Sequence, residues 1–144
     1  MIVNEKRMVS LARIMVGVVT SIVFLCPAIG GPNTATVMKI CATRTFEENG
    51  SFDSCRHSTF NDIFLQTTSH GYSYMKDCNT NGELSGKFYG HGACNGGLSP
   101  LNCTVCLLNA MRDMVSACIH SIGPRLKLVD CRVRYEDYQF DPNY

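Results

Sequence analysis

"CNGGLSPLNCTVC", Cys94 to Cys106, holds three cysteines, the last two forming a C-x2-C pair. With His91 ahead of it, the stretch also reads H-x2-C-x8-C-x2-C. Two chemistries use such a pattern. Zinc takes thiolates and imidazoles at tetrahedral spacing, and His91, Cys94, Cys103 and Cys106 could supply them. A disulfide frame takes the same cysteines in oxidised form. The choice fixes the compartment and, with it, the fold.

The rest of the chain weighs on that choice. Nine cysteines, at 26, 41, 55, 78, 94, 103, 106, 118 and 131, are many for 144 residues. The N-terminus runs from basic "MIVNEKRMVSLAR" through apolar "IMVGVVTSIVFLC" to small-residue "PAIGG". That is the order of a secretory signal peptide, with a run too short for a confident membrane span. We read residues 1–30 as the leader and 31–144 as the mature domain; the alternative is an uncleaved anchor. Cleavage removes Cys26 and leaves eight cysteines, an even number in an oxidising compartment. These cysteines are also spread along the whole domain rather than gathered in two knuckles. Both points favour disulfides over zinc.

Charge excludes further classes. Losing Lys6, Arg7, Arg13 and Glu5 from 13 basic and 12 acidic residues leaves ten and eleven. A near-neutral domain has no general pull toward nucleic acid or anionic membrane. Two sequons, Asn49-Gly50-Ser51 and Asn102-Cys103-Thr104, become glycosylation candidates in a secreted chain. Asn49 lies in a turn-rich stretch and is the better acceptor.

The elements read as strand, helix, two strands, helix, strands. "TATVMKICATRTF" is rich in β-branched residues. A helix capped by Asp53 or Ser54 runs to about Thr68, with Phe60, Ile63, Phe64 and Thr67 as its apolar face. Gly71 stands at its C′ position. "YSYMKDC" and "KFYGHGAC" are strands; Gly90 and Gly92 mark a bulge or a close backbone approach. Ser99 and Pro100 start the second helix, with Val105, Leu108, Met111, Val115, Cys118 and Ile122 as its stripe. "RLKLVDCRVRYEDYQF" alternates. Folded back near Asp130-Cys131, it sets Leu126 against Tyr135, Leu128 against Val133 and Arg125 against Glu136; a bent continuous strand is the alternative. Alternating strands favour an antiparallel sheet with one open face and two helices on the other, an α+β fold.

Cys94-x8-Cys103-x2-Cys106, with "NTATV", "YGHGAC", "NCTVCL", "IGPRLKLVDC" and "RYEDYQF", resembles a plant extracellular cysteine-rich family. Its members include ginkbilobin, the ectodomains of cysteine-rich receptor-like kinases and plasmodesmata-located proteins. The resemblance spans about 33–140. It implies the pairings Cys41–Cys118, Cys94–Cys103 and Cys106–Cys131, and two helices on a five-stranded antiparallel sheet. Cys55 and Cys78 lie outside the family's six and are left as a fourth pair.

The resemblance also implies a secreted, apoplastic antifungal defence protein that binds mannose or fungal wall glycans as a monomer. Family members hold mannose with an Asn after the first framework cysteine, an Arg before the last and a Glu after it. Arg125 and Glu136 match; Ala42 stands at the Asn position. Arg supplies a donor fork and Glu accepts, while Ala42 offers only its backbone. A different reading is a non-catalytic apoplastic interaction module that has lost mannose binding, with Tyr72, Tyr74, Tyr135 and Tyr138 as contacts. An enzyme is not expected, since no nucleophile, phosphate-loop or metal motif surrounds His57, His70, His91 or His120. No cofactor is implied.

Overall fold

The computed structural model describes residues 30–143. The leader read over 1–30 lies outside them except for Gly30. The elements are β1 (Thr36–Ile40), α1 (Ser51–Gln66), a 3-10 turn (Thr68–His70), β2 (Ser73–Asn79), β3 (Lys87–Cys94), α2 (Pro100–Ala117), β4 (Arg125–Leu128) and β5 (Cys131–Glu136). The strands form one antiparallel sheet in the order β1-β4-β5-β3-β2. Both helices pack on one face, α1 over β2 and β3, α2 over β3, β4 and β5. This is the two-helix, five-stranded α+β architecture expected from the sequence.

Four disulfides join Cys41 to Cys118, Cys55 to Cys78, Cys94 to Cys103 and Cys106 to Cys131. The three cysteines of the opening stretch are therefore oxidised and offer no thiolate to a metal. Cys94–Cys103 closes a short loop around the start of α2. There the Ser99 hydroxyl accepts from the Asn102 N–H at 3.2 Å and Pro100 occupies the first turn. Cys106 carries α2 to β5.

Between helices and sheet lies a core of Phe52, Ile63, Phe88, Leu107, Met114, Leu126, Leu128, Val133 and Tyr135. Tyr135 stacks on Phe88 at 5.2 Å and donates to the Ser121 carbonyl at 2.7 Å. Gly90 and Gly92 mark a close approach, not a bulge, because the β2–β3 register is unbroken. A methyl at Gly90 would lie 2.7 Å from Thr59 Cγ2, and one at Gly92 would overlap Ile63 Cγ2. Helix α1 crosses β3 there, so only glycine fits. The sheet's bulge lies in β1, between Thr36 and Met38.

Several local expectations are corrected. Helix α1 begins at Ser51, earlier than a cap at Asp53 or Ser54 allows. Its first turn is capped from elsewhere in the chain: Glu83, in the β2–β3 loop, accepts from the Phe52 N–H at 2.9 Å and the Ser51 hydroxyl at 2.7 Å. Asp53 instead accepts from Arg56 and from the Asn49 N–H at 3.0 Å. The buried face of α2 is Cys103, Cys106, Leu107, Ala110, Met111 and Met114. Of the expected stripe, Val105, Leu108 and Val115 face outward, and the helix ends at Ala117, before Cys118 and Ile122. In the β4–β5 hairpin, Leu126 pairs with Val133, Lys127 with Arg132 and Arg125 with Arg134. A slip of two residues from the expected register keeps every side chain on its face but changes each partner. The turn lacks glycine because it is held from outside: Val129 and Asp130 donate to the Ala35 and Asn33 carbonyls, and Asp130 accepts from the Asn33 N–H.

Candidate functional site

The sheet face away from the helices carries alternate residues of β3, β4 and β5: Tyr89, His91 and Ala93; Arg125 and Lys127; Arg132, Arg134 and Glu136. It is not fully open. The segment after β5 folds back across it. Phe140 lies 4.2 Å beneath the Arg134 guanidinium, the Tyr138 hydroxyl accepts from Arg134, and the Pro142 carbonyl accepts from Arg132.

Arg125 and Arg134 stand directly opposite on β4 and β5. Like charges so placed repel, and Glu136 resolves the conflict. Its Oε1 takes the Arg134 Nε at 2.9 Å, a second Arg134 nitrogen at 2.7 Å, and Arg125 diagonally at 3.5 Å. Glu136 and Arg134 are buried, while a third of the Arg125 side chain reaches solvent. Gly123, at φ +84°, lies against the carboxylate, where any side chain would meet Glu136 Oε2. A left-handed glycine is required for this approach.

The chain beyond β1 borders the same corner. The Ala42 carbonyl accepts from the Ser121 hydroxyl at 2.8 Å, and the Arg44 carbonyl from the Ile122 N–H at 2.8 Å. The Arg44 guanidinium grips the buried Asp137 at 2.7 and 3.4 Å. The structure thus gathers the Ala42 backbone, Arg125 and Glu136 at one end of β1, β4 and β5. Ala42 brings a carbonyl already engaged, and Glu136 is committed to two arginines. The solvent-facing chemistry is that of donors, from Arg125 and Arg44. Sequence reading missed Arg134 and the Arg44–Asp137 pair. The alternation of Arg132, Arg134 and Glu136 placed three charges on one face, but not which of them would be covered.

His91 sits beside this cluster. It is buried, shares a 2.9 Å hydrogen bond with the Ser73 hydroxyl, and has its titration lowered to about 4 by burial and by the Arg132 and Arg134 charges. It is neutral at neutral pH. Among the described residues, no group of three or more His, Cys, Asp or Glu could hold a metal ion.

The remaining candidates scatter. Asn49 is exposed, at φ 62° in the turn before α1; Asn102 is half-buried in the first turn of α2. Of the tyrosines read as surface contacts, Tyr135 is core, Tyr72 donates to the Leu98 carbonyl at 2.8 Å, Tyr74 packs on His70 at 4.5 Å, and only Tyr138 is broadly exposed. Between the helices opens an apolar cleft of about 580 Å³, bordered by Phe60, Phe64, Leu108, Met111 and Val115. No helix among the described residues is long and apolar enough to cross a membrane.

The chain matches the family model described as salt stress response/antifungal over residues 40–138. It is 31% identical to antifungal protein ginkbilobin-like protein 1 of Picea sitchensis, over 81% of this chain and 86% of that protein. It is 32% identical to antifungal protein ginkbilobin-2 of Ginkgo biloba, over 75% and 80%. Among solved structures, it resembles the tandem DUF26 ectodomain of an Arabidopsis thaliana cysteine-rich receptor-like protein, with TM-score 0.66 and 20% identity. That match covers 74% of this chain and 51% of the ectodomain, so the chain corresponds in fold to about half of it. The chain belongs to the salt stress response/antifungal family.

Proposed function

We propose that the protein is a secreted, non-catalytic antifungal defence protein that contacts glycan at the Arg125–Glu136 corner. The supporting observation is the partly exposed Arg125, held by a buried carboxylate beside the Ala42 and Gly123 backbones. A pre-oriented guanidinium offers a rigid donor fork to sugar oxygens. The family membership and the antifungal relatives support the same role, and the disulfide frame suits an extracellular, apoplastic site. Asn49, exposed before α1, is the glycosylation acceptor of this reading.

Hyphal growth in the presence of the oxidised domain 31–144 is the test. Growth should slow, and the Arg125→Ala variant should lose the effect together with retention on immobilised mannan. Unchanged growth at every dose refutes the antifungal role. Mannan retention that survives Arg125→Ala refutes the site. Ala42→Asn, which restores the amide of the family's mannose site, should strengthen mannan retention.

A second reading is a non-lectin interaction module. The cleft between α1 and α2 favours it, because Leu108 and Val115 there, and Leu101 and Ile119 beside them on the outer face, are exposed apolar side chains. Contiguous apolar surface of this kind marks contact sites. Charged substitutions at Leu108 and Val115 would abolish activity under this reading and leave it intact under the first.

A further inference from the structure

Two cation pairs stand side by side on the β4–β5 ladder. Arg125 opposes Arg134, and two residues along, Lys127 opposes Arg132. Antiparallel partners directly opposite share a face, and like charges in that position destabilise the pair. The first pair is neutralised by Glu136. The second has no such partner: among the described residues no carboxylate forms an ion pair with Lys127 or Arg132. The nearby Asp130 carboxylate is occupied, accepting from the Asn33 N–H and from Asn95 Nδ2.

The second pair also borders a cleft. Lys127, Arg132, Ala93 and Asn95 line a space of about 20 Å³. That is room for about one small polar group, since a water needs roughly 10–15 Å³ on the same measure. Ala93 faces Arg132 across β3–β5 and leaves the space open. The Arg132 Nε is buried and has no hydrogen-bond partner among the described residues, although another nitrogen of the same guanidinium donates to the Pro142 carbonyl. The cleft is therefore bordered by two cations that no carboxylate pairs, and that arrangement suits an anion.

We propose that this cleft binds the carboxylate of a uronic acid unit in an acidic saccharide. The size of the cleft fits one planar carboxylate. The direction of the chain supplies the rest: Lys127 lies two residues from Arg125, about 7 Å along the strand. A sugar whose carboxylate sits between Lys127 and Arg132 extends its ring and hydroxyls toward the exposed Arg125 fork. The inference therefore rests on the glycan reading of the Arg125 corner and extends it: beside the neutral sugar met by Arg125, the adjoining cleft takes an acidic unit.

Calorimetric titration of the oxidised domain with trigalacturonate tests it. Trigalacturonate should bind, its methyl-esterified form should bind at least tenfold more weakly, and the affinity should fall with added salt. Lys127→Met and Arg132→Gln should each weaken trigalacturonate at least tenfold and leave mannan retention unchanged. Equal binding of the esterified form, or full binding by both variants, overturns the inference while the mannan assay still judges the corner. Acetate or polyaspartate binding as tightly as trigalacturonate overturns the saccharide assignment. Lys127 is exposed, so its replacement should fold, and relief of the repulsion should raise Tm by about 1–3 °C. A fall in Tm would identify the lysine as a structural element and count against a ligand site.

Discussion

At the scale of single residues, burial decides which charges are free to act. Glu136 is legible in the sequence as a ligand-type carboxylate, yet it is spent on holding Arg134 and Arg125 together. Removing one member of a buried ion pair leaves the others uncompensated, at about 3–5 kcal/mol. Glu136→Gln should therefore destabilise the fold by about 3 kcal/mol in urea denaturation. Arg125→Ala, at the exposed end, should cost about 1 kcal/mol or less. Equal losses would contradict this division. His91 gives a pH signature. Unfolded, it titrates near its ordinary value of 6.5; folded, near about 4. Between these values the unfolded chain binds a proton that the folded chain refuses, so stability falls as pH drops from about 6.5 toward 4. Asp53 and Glu83 act lower. Burial pushes the Asp53 carboxyl up, but Arg56 and the Asn49 N–H outweigh it and hold it below its usual range. The Phe52 N–H does most to lower Glu83. Their contributions are present above the usual carboxylate range and are lost below about pH 4. Denaturation midpoints should decline across pH 6.5–4, and His91→Asn should flatten that window alone.

At the scale of elements, a helix shows which face it buries only when its neighbours are known. Helix α2 carries two apolar rows. Val105, Leu108, Met111 and Val115 make a regular stripe, but the sheet takes Cys103, Leu107, Ala110 and Met114. The disulfides explain the choice. Cys103 must reach Cys94 on β3 and Cys106 must reach Cys131 on β5, and that fixes the rotation of the helix. Leu107→Ala should then cost about 2–5 kcal/mol, and Leu108→Ala under about 1 kcal/mol, by thermal denaturation. The reverse order would mean that the helix is rotated. Met111 is shared with the core, while Leu108 and Val115, left outside it, border the apolar cleft with α1. Capping follows the same logic. The first turn of α1 takes its acceptor from Glu83, more than thirty residues away in sequence, so no local motif announced the helix start at Ser51.

At the scale of the whole molecule, the four bridges tie both helices and every strand except β4 to another part of the fold. Cys41–Cys118 spans a sequence separation of 77 and joins the end of β1 to the end of α2; Cys94–Cys103 spans only 9. If restriction of the unfolded chain dominates, the longer bridge stabilises by about 4.5 kcal/mol and the shorter by about 2.5. Paired Cys→Ala replacement should lower the denaturation free energy in that order, with Cys55–Cys78, at separation 23, between them. A larger loss at Cys94–Cys103 would show that its hold on the start of α2 outweighs loop length.

The sequence alone determined the α+β class, because alternating strands and helix caps are local signals, and Ser99-Pro100 and the β3 segment needed no tertiary help. The cysteine spacing carried the family. Tertiary structure decided the rest. The buried face of α2, the hairpin register that sets Arg125 against Arg134, the distant cap on α1, and the fold-back of the C-terminal segment over Arg132 and Arg134 all arise from tertiary contacts rather than from any local sequence signal. Periodicity shows that a face exists. Which face is buried, and which charge stays exposed, depends on what packs against it.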